Sequence, residues 1–189
     1  MRVFAVLVFL LLWHGSVLAA PSVYVLDEEK SSVEFYADST LHAFDGKARR
    51  VEGEVWCDVQ AQEVKVPILI EVPVLSLDTD NKRRDKKMRQ MFDEKQFPTI
   101  SFQADNIKML SGNIADSLFC QVEGILKIKG AQKQVSFEVL FSTEGNRILA
   151  SGAIPININD FGLKPASVLG IIKVDKEVRI EFKTTWRQQ

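Results

Sequence analysis

The chain has 189 residues, 46% of them hydrophobic, with 24 basic and 25 acidic side chains and a net charge of −1. That length and composition suit one domain with one sizeable core. The charge balance excludes a general nucleic-acid binder, which needs a basic footprint.

The first segment reads as a secretory signal peptide. Arg2 supplies the positive start, Val3 to Trp13 is an unbroken apolar run, and Val17-Leu18-Ala19 offers small residues to a peptidase. The run is shorter than the roughly 20 residues a membrane span needs. Cleavage after Ala19 leaves residues 20–189 as a single exported domain, expected in the periplasm, with 23 basic and 25 acidic side chains and a net charge of −2.

Strand patterns dominate the rest of the chain. Val33, Phe35 and Ala37 alternate with polar residues, and Val51 to Val59 alternates around Gly53. Val64, Val66, Ile68, Ile70, Val72 and Val74 hold a period of two over a long run. Ile100, Phe102 and Ala104 resume it, then Val122, Leu126 and Ile128, then Val135, Phe137, Val139 and Phe141. Ile148, Ala150, Ile154, Ile156 and Ile158 come next, and Val178, Ile180 and Phe182 close the series. Period two with one apolar face means antiparallel strands with one wet side. Ser111-Gly112-Asn113, Gly130-Ala131 and Gly145-Asn146 are expected turns. Pro67, Pro73 and Pro155 mark edges, bulges or broken pairing, because proline cannot donate to a ladder.

One helix interrupts the strands, at about 80–92. Asp80 or Asn81 serves as its N-cap, and Met88, Met91 and Phe92 form a thin apolar stripe. Six of the eight residues from Lys82 to Arg89 are basic. So narrow a stripe cannot make its own core, so the helix must lie over the end or side of a sheet.

Strands of this kind, joined by short turns, stack as a sandwich or close as a barrel. A barrel of about eight strands is just wide enough inside for side chains or one small ligand. Gly53, Gly124 and Gly152 fall in the inward phase and are read as leaving room. The expected fold is therefore all-β, an antiparallel barrel of about eight strands with one inserted helix. Its interior is read either as an elongated apolar cavity or as a packed core.

The polar inventory is small. His42 is the one histidine after the signal segment, and neither it nor the cysteines show zinc-ligand spacing, so no metal is expected. No nucleophile motif or phosphate loop is present, so no cofactor and no catalytic residue are assigned. Cys57 and Cys120 sit in apolar phases, which leaves open a disulfide or two buried thiols.

The chain resembles the YceI-like family of polyisoprenoid-binding, lipocalin-like exported proteins, from about Val23 to Trp186. Ser31 to Phe35 and His42-Ala43-Phe44-Asp45-Gly46 carry the likeness at the start. Ser76 to Arg89 fits the pattern S-x-D-T-x-N-x-x-R-D-x-x-x-R, and Phe92-Asp93 comes after it. Phe97 to Phe102, Gly124 to Gly130 and Asn159 to Leu163 continue it.

The resemblance implies a lipocalin-like barrel holding an isoprenoid chain, such as a quinone tail or a polyprenyl lipid, for storage or transport. The ligand-facing positions it implies are Phe35, Val55, Ile68, Ile70, Phe102, Val122, Leu126, Phe137, Val139, Ile154, Ile156, Ile180 and Phe182. His42 is placed near the mouth. Arg84, paired with Asp85, is read either as an anchor for the helix or as a group meeting the ligand head. Phe161 opens an apolar loop, with Val168, Leu169, Ile171 and Ile172, that covers the mouth, touches a bilayer or forms a buried crossover. The basic helix face offers transient contact with a membrane surface. The oligomeric state stays open, a homodimer among the options. Two rival readings are an enzyme acting on a small lipid through His42, and a stress-related structural barrel without ligand.

Overall fold

The computed structural model describes residues 22–39, 43–58, 63–164 and 174–189. They form β1 (Ser22–Leu26), β2 (Ser32–Ser39), β3 (Phe44–Ala48), β4 (Glu52–Asp58), β5 (Glu63–Pro73), β6 (Leu77–Asp78), α1 (Lys82–Phe92) and β7 (Thr99–Asn113). β8 (Ser117–Ile128), β9 (Ala131–Glu144), β10 (Arg147–Asn157) and β11 (Val174–Gln188) complete the chain.

All pairings are antiparallel, in the order β1-β4-β5-β7-β8-β9-β10-β11, and β11 returns to pair with β1. The ring is closed. Beyond it β2 pairs with β11 and β3, and β3 with β6. Thus β1 and β2, β3 and β4, and β5 and β6 are each two segments of one barrel strand. The breaks are the 3-10 turns Glu28–Lys30 and Val74–Ser76, and residues 49–51. The result is an up-and-down barrel of eight strands, closed by the β1–β11 pairing, with β9 and β10 parting beyond Gly152 and β6 paired on its β3 side.

The alternation in the sequence sets the faces. In β8 Leu118, Cys120, Val122, Leu126 and Ile128 point inward and are buried, while Glu123 and Lys127 lie on the outer face. The long strand β7 bends at register shifts near Asn106 and Ser111, as bulged strands do.

Four local expectations are corrected. Ser111-Gly112-Asn113 lies inside β7, and the turn is residues 114–116, whose Ile114 is fully buried in the core (0% exposed). The β8–β9 turn is Lys129-Gly130, both with positive φ, one residue earlier than Gly130-Ala131. Val66 leaves the inward series and is exposed. β5 carries extra residues opposite Glu54–Trp56, around Pro67, and the irregularity turns Val66 outward. The inward glycines do not leave room. A Cβ on Gly124 would stand 2.3 Å from the Gln103 carbonyl oxygen, and Gly53 and Gly152 face similar crowding. These are points of close strand approach. Pro155 behaves as expected, since the β9–β10 ladder stops at Gly152 and Pro155 lies where β10 pairs with β11 alone.

Helix α1 comes after β6 at one end of the barrel, opposite Ile114. Asn81 caps it, its side-chain oxygen accepting from Arg83 N (3.1 Å) and Arg84 N (3.2 Å). Asp93 ends it in the left-handed region (φ 52°). The approach to the helix is fixed by Arg49, which pairs with Asp78 and Asp80. The backbone N–H of Asp80 and the Arg49 guanidinium hold the Asp78 carboxyl below its ordinary range.

Candidate ligand cavity

The eight strands enclose a cavity of about 520 Å³, within the range of small-ligand sites. Its walls come from the inward phase. Phe35, Val55, Ile68, Ile70, Phe102, Val122, Leu126, Phe137, Val139, Ile154, Ile156, Ile180 and Phe182 all line it. Several of these (Phe35, Ile70, Phe102, Ile154, Ile180, Phe182) are only partly buried although they point into the barrel. A packed core would cover them, so the interior is hollow.

β11 shows its depth. Val178, Ile180, Phe182, Thr184 and Trp186 line the cavity in unbroken alternation, a run of roughly 26 Å at about 3.3 Å per residue. With a barrel tilt of about 40° that is about 20 Å along the axis. Midway, Phe102 and Phe137 lie 5.3 Å apart between centroids, and Phe137 meets Phe182 edge-on at 6.0 Å. At the deep end Trp186 Nε1 donates to Thr184 Oγ1 (3.0 Å), which donates to the Ala150 carbonyl (3.3 Å). Both polar side chains there are satisfied.

At the other end Met88, Met91 and Phe92 of α1 form the roof, with Ile158 and Leu163 beside them. Asn81, Arg83 and Lys87 also line the cavity and are exposed, so the space reaches solvent alongside the helix. Among the described residues the charged lining groups are Arg83, Arg84 and Lys87, and no carboxylate lines the space.

Arg84 and Asp85 act first as the helix anchor, one of the two roles their pairing in the sequence allows. Asp85 is buried and accepts from the backbone N–H (3.0 Å) and hydroxyl (2.6 Å) of Thr79. Arg84 donates through Nε to the Thr79 hydroxyl oxygen and through Nη2 to its carbonyl, both 2.9 Å. Its guanidinium also lies over the Phe44 ring, 4.7 Å from the centroid.

Other expected residues fall elsewhere. Phe161 is buried but does not line the cavity. It closes the 3-10 turn Ile158–Phe161, which presents Ile158 and then Leu163 to the space instead. Cys57 and Cys120 are buried thiols and are not joined. β5 and β7 stand between their strands, a separation of about 14 Å along the sheet at about 4.8 Å per strand, beyond disulfide reach. Burial pushes the Cys120 thiol pKa up. His42, the loop residues Val168, Leu169, Ile171 and Ile172, and the signal segment lie outside the described residues.

The sequence pattern did not single out Arg83, Lys87, Thr184 and Trp186 as lining residues. The last two were legible, because they continue the phase of Val178, Ile180 and Phe182. Arg83 and Lys87 were not, because a basic helix face reads first as a solvated one.

The YceI-like domain family matches residues 24–186 of the chain. No curated protein matches it significantly. Among solved structures, Burkholderia cenocepacia BcnA is similar at a TM-score of 0.74 and 24% identity, over 85% of this chain and 98% of that one. A polyisoprenoid-binding domain from Saccharophagus degradans, implicated in plant cell wall breakdown, gives 0.73 at 13% identity, over 88% and 98%. The Campylobacter jejuni YceI protein gives 0.63 at 16% identity, over 76% and 84%. At these identities the structural likenesses establish the fold.

Proposed function

This chain belongs to the YceI-like domain family, and from that premise we propose that it is an exported carrier that holds an isoprenoid lipid, a quinone or polyprenyl chain, inside its barrel. The hollow interior carries the reading. An apolar space of about 520 Å³, elongated and walled by partly buried Phe, Ile and Val side chains, favours a long hydrocarbon. Each Å² of tail removed from water contributes roughly 25 cal/mol. The Saccharophagus degradans neighbour, named for polyisoprenoid binding, points the same way.

The role is storage or transport, and it needs no catalytic step. The amino-terminal segment supports export to the periplasm. There the exposed Lys82 and Lys86 of α1 suit brief contact with an anionic bilayer, at about 1 kcal/mol per basic side chain near the surface.

Native mass spectrometry of the chain purified from its own cells without detergent tests this reading. The expected spectrum shows the mature chain plus the mass of one long-chain isoprenoid lipid. A spectrum of the bare chain alone, under conditions in which a known lipid carrier keeps its cargo, contradicts it.

A further inference from the structure

Resting on the lipid-carrier reading, we infer that the cargo is an anionic amphiphile whose phosphate or carboxylate head sits between Arg83 and Lys87 beside α1. The cavity is polar at one end only in a way that invites a ligand. At the deep end the hydroxyl of Thr184 and the indole of Trp186 are already satisfied, by each other and by the Ala150 carbonyl. A polar head placed there would lose water and find no free partner. At the helix end the charged lining is all cationic among the described residues.

Arg83 and Lys87 are four residues apart, so their side chains share one flank of the helix. Neither makes an ion pair or a side-chain hydrogen bond among the described residues. The nearby Arg84 and Asp85 are both committed to Thr79, and Asp85 forms no ion pair with Arg83 or Lys87. Like charges at this spacing work against a helix, and Lys82, Arg83 and Arg84 share its first turn with Asp85 alone as a counter-charge, where the backbone dipole already puts positive charge. An anion at the cavity mouth offsets both conflicts. A neutral head offsets neither.

The cargo therefore lies tail-in and head-out. The tail runs from Met91 past the Phe102–Phe137–Phe182 cluster toward Trp186. The head stays at the exposed rim, in reach of the Arg83 fork and the Lys87 ammonium, both suited to phosphate.

The test compares farnesyl phosphate with farnesol on the delipidated mature chain by calorimetry, for the wild type and for Arg83→Gln/Lys87→Gln. The wild type is expected to prefer the phosphate by roughly tenfold or more, the scale of one charge-assisted hydrogen bond. That preference should shrink as salt rises and collapse toward unity in the double variant. Arg83→Lys/Lys87→Arg, which keeps both charges, should retain most of it. Equal affinity for phosphate and alcohol in the wild type overturns the anionic head and leaves the lipid-carrier reading standing. So does a preference that survives the double substitution. Failure of both probes to bind overturns the carrier reading as well.

Discussion

The ring of Phe182 lies across Gly152 on the neighbouring strand, its register partner, so that a Cβ on Gly152 would stand 2.7 Å from Phe182 Cζ. The Glu138 carbonyl oxygen would be 2.6 Å away on the same atom. The glycine is what lets the ring lie flat enough to reach Phe137, and through it Phe102, so three strands meet in one aromatic cluster on the cavity wall.

Gly152→Ala is therefore expected to destabilise the barrel by about 1–3 kcal/mol, the usual cost of overpacking. Urea unfolding measures it. Adding Phe182→Leu should recover only part of the loss, because the backbone oxygen of Glu138 cannot move aside as a ring can.

Filling the cavity has the opposite signature. Ile154 faces the empty space and is half-buried. Ile154→Trp should leave stability within about 1.5 kcal/mol of wild type, since the ring enters a void and displaces no packed neighbour. Lipid affinity should fall about tenfold or more. Excluding two methylenes costs about 1.6 kcal/mol at about 0.8 kcal/mol each. Thermal unfolding and lipid titration together check the pair of outcomes.

The helix anchor can be cut at Asp85. Asp85→Ala leaves the Thr79 N–H and hydroxyl without their acceptor in a buried place, a loss of about 1–3 kcal/mol. Asn81→Ala removes the cap and should cost about 1 kcal/mol. Hydrogen exchange should show α1 opening more often in both variants, with β8 and β9 unchanged.

Both tyrosines should resist ionisation. Glu34 accepts a hydrogen bond from the Tyr36 hydroxyl and pushes that phenol's pKa up to about 12. Burial raises Tyr24. In each case the fold favours the protonated phenol. The contribution is complete below the ordinary value of about 10 and is lost as pH rises through the folded value. A spectrophotometric titration of the folded protein should show one phenol, Tyr36, ionising only near pH 12, and Glu34→Gln should bring that step back toward 10. Two phenolate steps both at the ordinary value in the wild type contradict the Tyr36–Glu34 pairing.

The alternating faces of β8 and β11 made the barrel legible in the sequence, because a period of two survives wherever strands are regular. The capped basic helix with its Met88–Met91–Phe92 stripe was legible for the same reason, through its own period. What escaped lies where regularity breaks or where distance in space decides. Val66 keeps the alternating pattern, but the chain bulges around Pro67. Gly112 reads as a turn yet sits in a strand. Glycines that seemed to hollow the barrel instead let neighbouring strands and the Phe182 ring come close. The spacing of Cys57 and Cys120 depends on two intervening strands, which no local pattern reports.

Anomalous diffraction from crystals soaked with a bromine-tipped linear alkane reads the interior most directly. The bromine peak is expected inside the barrel, between the Phe102–Phe137–Phe182 cluster and Trp186, with the chain running back toward Met91. Bromine found only on the outer surface, with the interior occupied by the protein's own side chains, would contradict a lipid-holding barrel.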